Sequence, residues 1–172
     1  MVIREVEPGE IELLPALCIL LQDCVDDGAS VGFLAPLSHA DASDYWRGIL
    51  LSLGSHLKMW IAEDDTGVVG TVQLALSPRQ NGKHRAEVQK LSVLRSHRGR
   101  GIAQSLMTRM ESFARANGLT LLVLDTEASS GAEALYTLMG WHRVGEIPDY
   151  GARPDGELRP TAVYYKRLGE GA

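Results

Sequence analysis

The sequence predicts a mixed α/β domain of the α+β type, in which a mostly antiparallel central sheet of about seven strands is flanked by helices. Three observations predict it. Strand, helix and strand follow one another only once in a pattern that demands a crossover, at residues 87–125, so a single parallel pair is expected. Asp64-Asp65-Thr66-Gly67 has the chemistry of a hairpin turn and makes its flanking strands antiparallel neighbours. Two more strand-like runs follow the last helix. With 172 residues and no internal repeat or low-complexity linker, the chain reads as one domain, 1–172, large enough to bury a core without staples.

Each element has a local reason. Residues 2–6 read as a short strand, and residues 10–24 place Ile11, Leu14, Leu17, Cys18, Leu21 and Cys24 on one helical stripe, with Pro15 delaying or kinking its start. Asp26-Asp27-Gly28 ends that helix, and the apolar stretch 29–37, interrupted by Gly32 and Pro36, reads as a packed loop able to wall a pocket. Ser38 is an N-cap candidate for a helix whose Ala42, Tyr45, Trp46, Ile49, Leu50 and Leu53 face inward until Gly54. Strands follow at 57–63, 68–76 and 85–94, then a helix at 102–116 ended by Asn117-Gly118, and a strand at 119–125. Ser129 or Ser130 is expected to cap a short helix running to Met139. Strands at 141–147 and 161–168 are separated by a polar, turn-rich loop at 148–156.

Composition excludes several function classes. A formal charge of -5 argues against general affinity for nucleic acid or anionic membrane, and the scattered Trp46, Trp60 and Trp141 make no base-stacking surface. No apolar run approaches the roughly 20 residues that span a bilayer, and the amino terminus lacks a signal pattern, so a reducing, cytoplasmic setting is expected. Cys18 and Cys24 lie six residues apart in one helix, too far to bridge, and read as small buried hydrophobes. The five histidines show no paired metal spacing, and no metal is expected.

The run Arg95-Ser96-His97-Arg98-Gly99-Arg100-Gly101-Ile102-Ala103 carries the strongest functional signal. It joins a strand to a helix, where glycines let a ligand approach the backbone and free helix N–H groups point at negative charge. Arg95, Arg98 and Arg100 reinforce that polarity. The order Arg-x-x-Gly-x-Ala lacks both the glycine spacing of a dinucleotide fingerprint and the Gly-Lys-Ser/Thr ending of a P-loop. A pyrophosphate carrier other than NAD or ATP is implied.

With the segments Val88-Gln89-Lys90-Leu91-Ser92-Val93, Arg98 to Ala103 and Ala134-Leu135-Tyr136-Thr137-Leu138-Met139-Gly140-Trp141, the chain resembles the GNAT superfamily of acyl-CoA-dependent N-acetyltransferases. Gly28-Ala29-Ser30-Val31-Gly32-Phe33, Arg85-Ala86-Glu87-Val88-Gln89-Lys90-Leu91, Leu124-Asp125-Thr126-Glu127-Ala128 and the tail from Pro154-Asp155-Gly156 to Tyr165 are similar to the tabtoxin-resistance acetyltransferases. The resemblance implies acetyl-CoA as cosubstrate, with its pyrophosphate on the amides of Arg98, Gly99, Arg100, Gly101, Ile102 and Ala103. Its pantetheine would pair like an added strand against Leu91, Ser92 and Val93, a use of free strand edge groups known from peptide recognition.

Acetyl transfer to an amine needs a neutral amine, a polarised thioester carbonyl and a protonated leaving thiolate. Since a free amine is almost wholly charged at neutral pH, a carboxylate must take its proton, and Glu87 and Asp125 are the candidates, with Glu127 and Asp149 in reserve. Glu87 could equally be an edge charge paired with Arg85 or Lys90, and Asp125 could cap the following turn. Tyr136 alone would read as core packing; the resemblance makes it the general acid. The thioester oxygen is expected to accept from the Val93 N–H. The reading is an N-acetyltransferase of a small-molecule amine, including toxin or antibiotic-like amino acids, acting by direct attack in a ternary complex. A non-catalytic acyl-CoA sensor and a protein or peptide acetyltransferase are the alternatives, and the late strands leave a homodimer open.

Overall fold

A computed structural model describes residues 1–169. Seven strands form one sheet: β1 (Val2–Glu5), β2 (Leu57–Asp64), β3 (Gly67–Leu76), β4 (Arg85–Val93), β5 (Leu121–Glu127), β6 (His142–Ala152) and β7 (Leu158–Arg167). Their spatial order is β1-β2-β3-β4-β5-β7-β6, and β4 with β5 is the single parallel pair among the described residues. The predicted fold class holds. Four helices, α1 (Leu14–Asp26), α2 (His39–Ser52), α3 (Ile102–Ala116) and α4 (Ala132–Leu138), cover the sheet.

The period-two pattern of the strands divides the core between the two faces. On one side Trp60, Val69, Val72, Leu74, Val88, Leu122 and Leu124 pack with Ile102, Leu106, Met107 and Met110 of α3. On the other, Met59, Ile61 and Val68 meet Leu14, Leu17 and Leu21 of α1 and Trp46 and Leu50 of α2. Gly70 sets how closely α3 approaches, for a Cβ there would lie 3.0 Å from the Ser92 carbonyl oxygen and 3.1 Å from Leu106. Because α1 and α2 pack over the first strands, the same face of β4, β5 and β7 is left open.

Local chemistry explains most boundaries. Ser38 caps α2 by accepting from the Asp41 N–H at 3.0 Å, and Pro15 falls in the first turn of α1, which a short 3-10 turn precedes. Two expectations need correction. Neither Ser129 nor Ser130 caps α4; Gly131 holds that position without a side-chain bond, while Ser129 instead donates its N–H to Glu133. The tail loop 148–156 is largely strand, since β6 runs through Pro148 to Ala152. Pro148 is tolerated because β6 is an edge strand whose register shifts between Ile147 and Gly151, with Asp149 at φ +50° in the irregularity.

Candidate active site

The cleft begins where β4 and β5 part. They pair only at Arg85–Leu121, Ala86–Leu122 and Glu87–Val123, after which β4 bends away. The bend has a local cause. Gln73 of β3 faces Gln89 and Thr71 faces Ser92, so Lys90 and Leu91 together stand opposite Val72, with Lys90 at φ +50°. This bulge opens a cleft of about 1350 Å³. Glu87, Leu91, Ser92, Val93, Arg98, Gly99, Gly101, Ile102, Ala103, Asp125 and Tyr136 all line it, whereas Arg100 does not and donates to the Ser96 carbonyl at 3.1 Å.

One half of the cleft is backbone. The Leu94 N–H bonds the Val69 carbonyl at 2.9 Å, so that pair exchanges hydrogen bonds and the adjacent Gly70–Val93 pair does not. Val93 therefore turns its N–H away from β3, toward the gap left by β5. Beyond it a 3-10 turn leads to Gly99 and Gly101, both at φ +75°. Gly101 is the N-cap of α3 and has no side chain to occupy the first-turn amides, so these N–H groups stay available to an anion. A phosphate-bearing ligand fits this geometry.

The arginines of the turn do something narrower than lend positive charge. Arg95 binds Asp23 through Nε at 2.8 Å, and Arg98 binds Asp27 and, at 3.3 Å, the Val93 carbonyl. Together they fasten the turn to the carboxyl end of α1. The Arg95 N–H also donates to Asp23 at 2.8 Å; these bonds to Arg95 hold the Asp23 carboxyl below its ordinary range against the opposing, individually larger effect of burial.

The other half is made of side chains. Register places Glu87 beside Val123, and since alternate residues share a face, Asp125 projects from the same face two residues further along β5. Asp125 accepts from the Thr161 hydroxyl at 2.9 Å, and Glu87 accepts from the Gln89 side chain at 2.8 Å rather than pairing with Arg85 or Lys90. Glu127 is held by Arg153 at 2.8 Å, and Asp149 lies outside the lining.

Tyr136 projects from α4 and is 6% exposed, its ring tilted against Trp141 and Tyr164 with centroids 6.1 and 5.6 Å away. Trp141 is fixed in turn by a bond from its indole N–H to Glu111 of α3 at 3.1 Å, and Glu111 also takes Lys166 of β7 at 2.7 Å. Burial, with Asp125 and Tyr164 nearby, pushes the Tyr136 hydroxyl up to about 12, so it keeps its proton throughout the neutral range. It has no hydrogen-bond partner among the described residues.

Sequence reasoning missed Lys90 and the arginine pair Arg153 and Arg159. Lys90 Nζ donates to the Val31 carbonyl at 2.6 Å and lies 5.8 Å from the Tyr45 ring centroid, tying the loop 29–34 to the bulge. Burial lowers its ammonium pKa, opposed by Asp125. Its signal in the sequence was only a lysine inside a strand beside the candidate cofactor segment. The arginines were hidden in a tail read as loop.

An open α+β sheet with a splayed parallel pair, a strand amide facing the gap and an uncapped helix start below it defines a fold for acyl carriers with a pyrophosphate. Residues 16–141 match the acetyltransferase (GNAT) family, and the chain belongs to that family, whose acyl donor is acetyl-CoA. N-acetyltransferase 8 of Rattus norvegicus is 35% identical over 116 residues, 66% of this chain and 51% of that protein. N-acetyltransferase 8B of Homo sapiens is 33% identical over 138 residues, 79% of this chain and 58% of that protein. The chain thus spans about half the length of the curated relatives it matches. A phosphinothricin acetyltransferase from Sinorhizobium meliloti, solved in complex with AcCoA, superposes with a TM-score of 0.78 at 20% identity, covering 100% of this chain and 91% of that one. A ribosomal-protein-alanine N-acetyltransferase from Brucella melitensis gives 0.78 at 21%, covering 97% and 99%. These two share the fold. The narrower likeness to tabtoxin-resistance enzymes has no support beyond such phosphinothricin acetyltransferase neighbours. No described helix is long and apolar enough to cross a membrane.

Proposed function

We propose that the protein is an acetyl-CoA-dependent N-acetyltransferase acting on the primary amine of a small molecule by direct attack in a ternary complex, in a cytoplasmic setting. The observation that carries this is the meeting, in one cleft, of Asp125 and Tyr136 with the uncapped start of α3. Gly99, Gly101, Ile102 and Ala103 hold the pyrophosphate, and Leu91 to Val93 hold the pantetheine arm. Acetyl-CoA, when bound, supplies an acetyl group activated as a thioester.

The chain's own residues manage the protons. Asp125, kept in place by Thr161, accepts the proton of the incoming amine directly or through water, with Glu87 the other carboxylate on that face. Tyr136 Oη, protonated up to about 12, donates to the departing sulfur. The Val93 N–H is aimed where charge develops on the carbonyl oxygen. A covalent route through cysteine is disfavoured, because Cys24 is buried at the cleft wall and burial raises its thiol pKa.

A small acceptor is supported over a protein tail by the way the cleft closes. Ala35 N–H bonds the Pro154 carbonyl at 2.8 Å, linking the loop 29–37 to the turn between β6 and β7. Purified protein mixed with acetyl-CoA and matched panels of free amines and peptide amino termini is the test. Release of CoA with free amines is expected. Cofactor binding without release of CoA supports the sensor reading, and activity confined to peptides overturns the small-molecule assignment.

A further inference from the structure

The open face of the sheet carries a buried guanidinium nitrogen without a hydrogen-bond partner beside the proposed base. Glu127 follows Asp125 by two residues on the same face of β5, and β7 pairs Thr161 with Glu127, so Arg159 extends this row just past the end of β5. Glu127 is 9% exposed in its side chain, and Arg153 holds its Oε1 with Nε at 2.9 Å and a second nitrogen at 2.8 Å. Arg159 Nε stands 3.7 Å from that same carboxylate oxygen, beyond hydrogen-bond reach, and is buried without a partner. Its Nη1 reaches only Glu157, at 3.3 Å, whose side chain is 56% exposed. Both arginines line the cleft, and Arg159 Nε is left there as a buried donor that no protein acceptor meets within hydrogen-bond distance. A buried donor of this kind calls for an acceptor, and a planar guanidinium is suited to a carboxylate.

Resting on the reading of the cleft as a site of amine acetylation, we propose that the acceptor is a small amino acid whose carboxylate is held by Arg159 beside Arg153 while its amine faces Asp125. The spacing fits. Arg159 Nε lies 3.7 Å from the Glu127 carboxylate, and two residues of strand, about 6.6 Å, separate Glu127 from Asp125, so an amine at Asp125 and a carboxylate at Arg159 can belong to one short molecule. A peptide amino terminus presents a neutral amide at that distance, a weaker partner for a guanidinium than a carboxylate. Of the other cations of the lining, Lys90 is already engaged with the Val31 carbonyl at 2.6 Å and Arg98 with Asp27.

The test compares free amino acids with their carboxamides and with the decarboxylated amines, by CoA release under saturating acetyl-CoA, with rates referred to the unprotonated amine. The native protein is expected to favour the free acids at least about tenfold in kcat/KM, the size of one charge-assisted contact. Arg159→Gln is expected to abolish that preference by raising KM for the free acids to that of their carboxamides, and Arg159→Lys to restore part of it. Equal kcat/KM for acids and carboxamides overturns the inference and leaves the proposed activity standing. Acetylation of no acceptor, with acetyl-CoA bound, overturns both. If Arg159→Gln does not fold, the native ratio of acid to carboxamide and the Arg159→Lys variant still decide.

Discussion

In the half of the cleft proposed for the cofactor, Val93, Gly99, Gly101 and Ile102 come from one continuous stretch of chain and offer mostly backbone groups. The acceptor half gathers Lys90, Asp125, Arg153 and Arg159 from three separate strands and a turn, with the loop 29–34 as its wall, and works through side chains. Backbone groups are the same in every residue, so the first half depends on conformation and tolerates varied side chains. The second can be rewritten one residue at a time. This difference explains how a fold shared at about 20% identity can serve unlike acceptors.

The sharpest way to break the contrast is at Asp125. Asp125→Asn should lower kcat/KM by roughly 10³-fold at neutral pH, while acetyl-CoA affinity by calorimetry stays the same. A large loss in Glu87→Gln with a small one in Asp125→Asn would transfer the base role to Glu87. Tyr136→Phe should lower kcat about 10²-fold, again without weakening cofactor binding, and unchanged turnover would remove its role as acid. In the other half, Gly101→Val forces a side chain into φ +75°. Its strain, about 1–2 kcal/mol, should weaken acetyl-CoA roughly tenfold and leave acceptor KM alone.

The smallest expected effect belongs to Lys90→Met, which frees the loop 29–34 and should raise acceptor KM about threefold, the worth of one modest hydrogen bond. It carries a sign for stability as well. Burial lowers the Lys90 pKa from 10.5, so between its folded value and 10.5 the unfolded chain holds more protons. The penalty is full below the folded value and fades as pH rises. Native protein should therefore gain stability relative to Lys90→Met as pH approaches 10.5, and parallel denaturation curves at pH 7 and pH 10 would measure it.

The same contrast governs how much could be read from the chain. The residues of the proposed cofactor half are adjacent in sequence, and their glycines announce the conformation, so the turn from Arg98 to Ala103 into α3 was legible from the order of residues alone, although Arg100 lies outside the cleft. Helix α3 was legible at both ends because Gly101 and Asn117-Gly118 bracket an amphipathic run. The bulge at Lys90 was not, since nothing local marks which strand residue gains an unpaired neighbour. Arg153 and Arg159 were hidden for another reason. Pro148 and Gly151 mimic a loop, and only pairing of β6 with β7 across an irregular register makes a hairpin there. The serines before α4 misled through propensity: Ser129 sits at φ +63°, outside the extended backbone an N-cap serine adopts, and Gly131 starts the helix.

Strand β7 lies between β5 and β6, although β6 precedes it in the chain. During synthesis β6 has no edge to join until β7 exists, and β5 keeps a bare edge for as long. Thr161 and Arg159, which contact or flank the two carboxylates of β5, arrive on that final strand. The proposed acceptor pocket is thus the last part of the domain to be assembled, and a ribosome-held chain ending before residue 158 would have its glycine turn complete while still lacking Arg159 and Thr161.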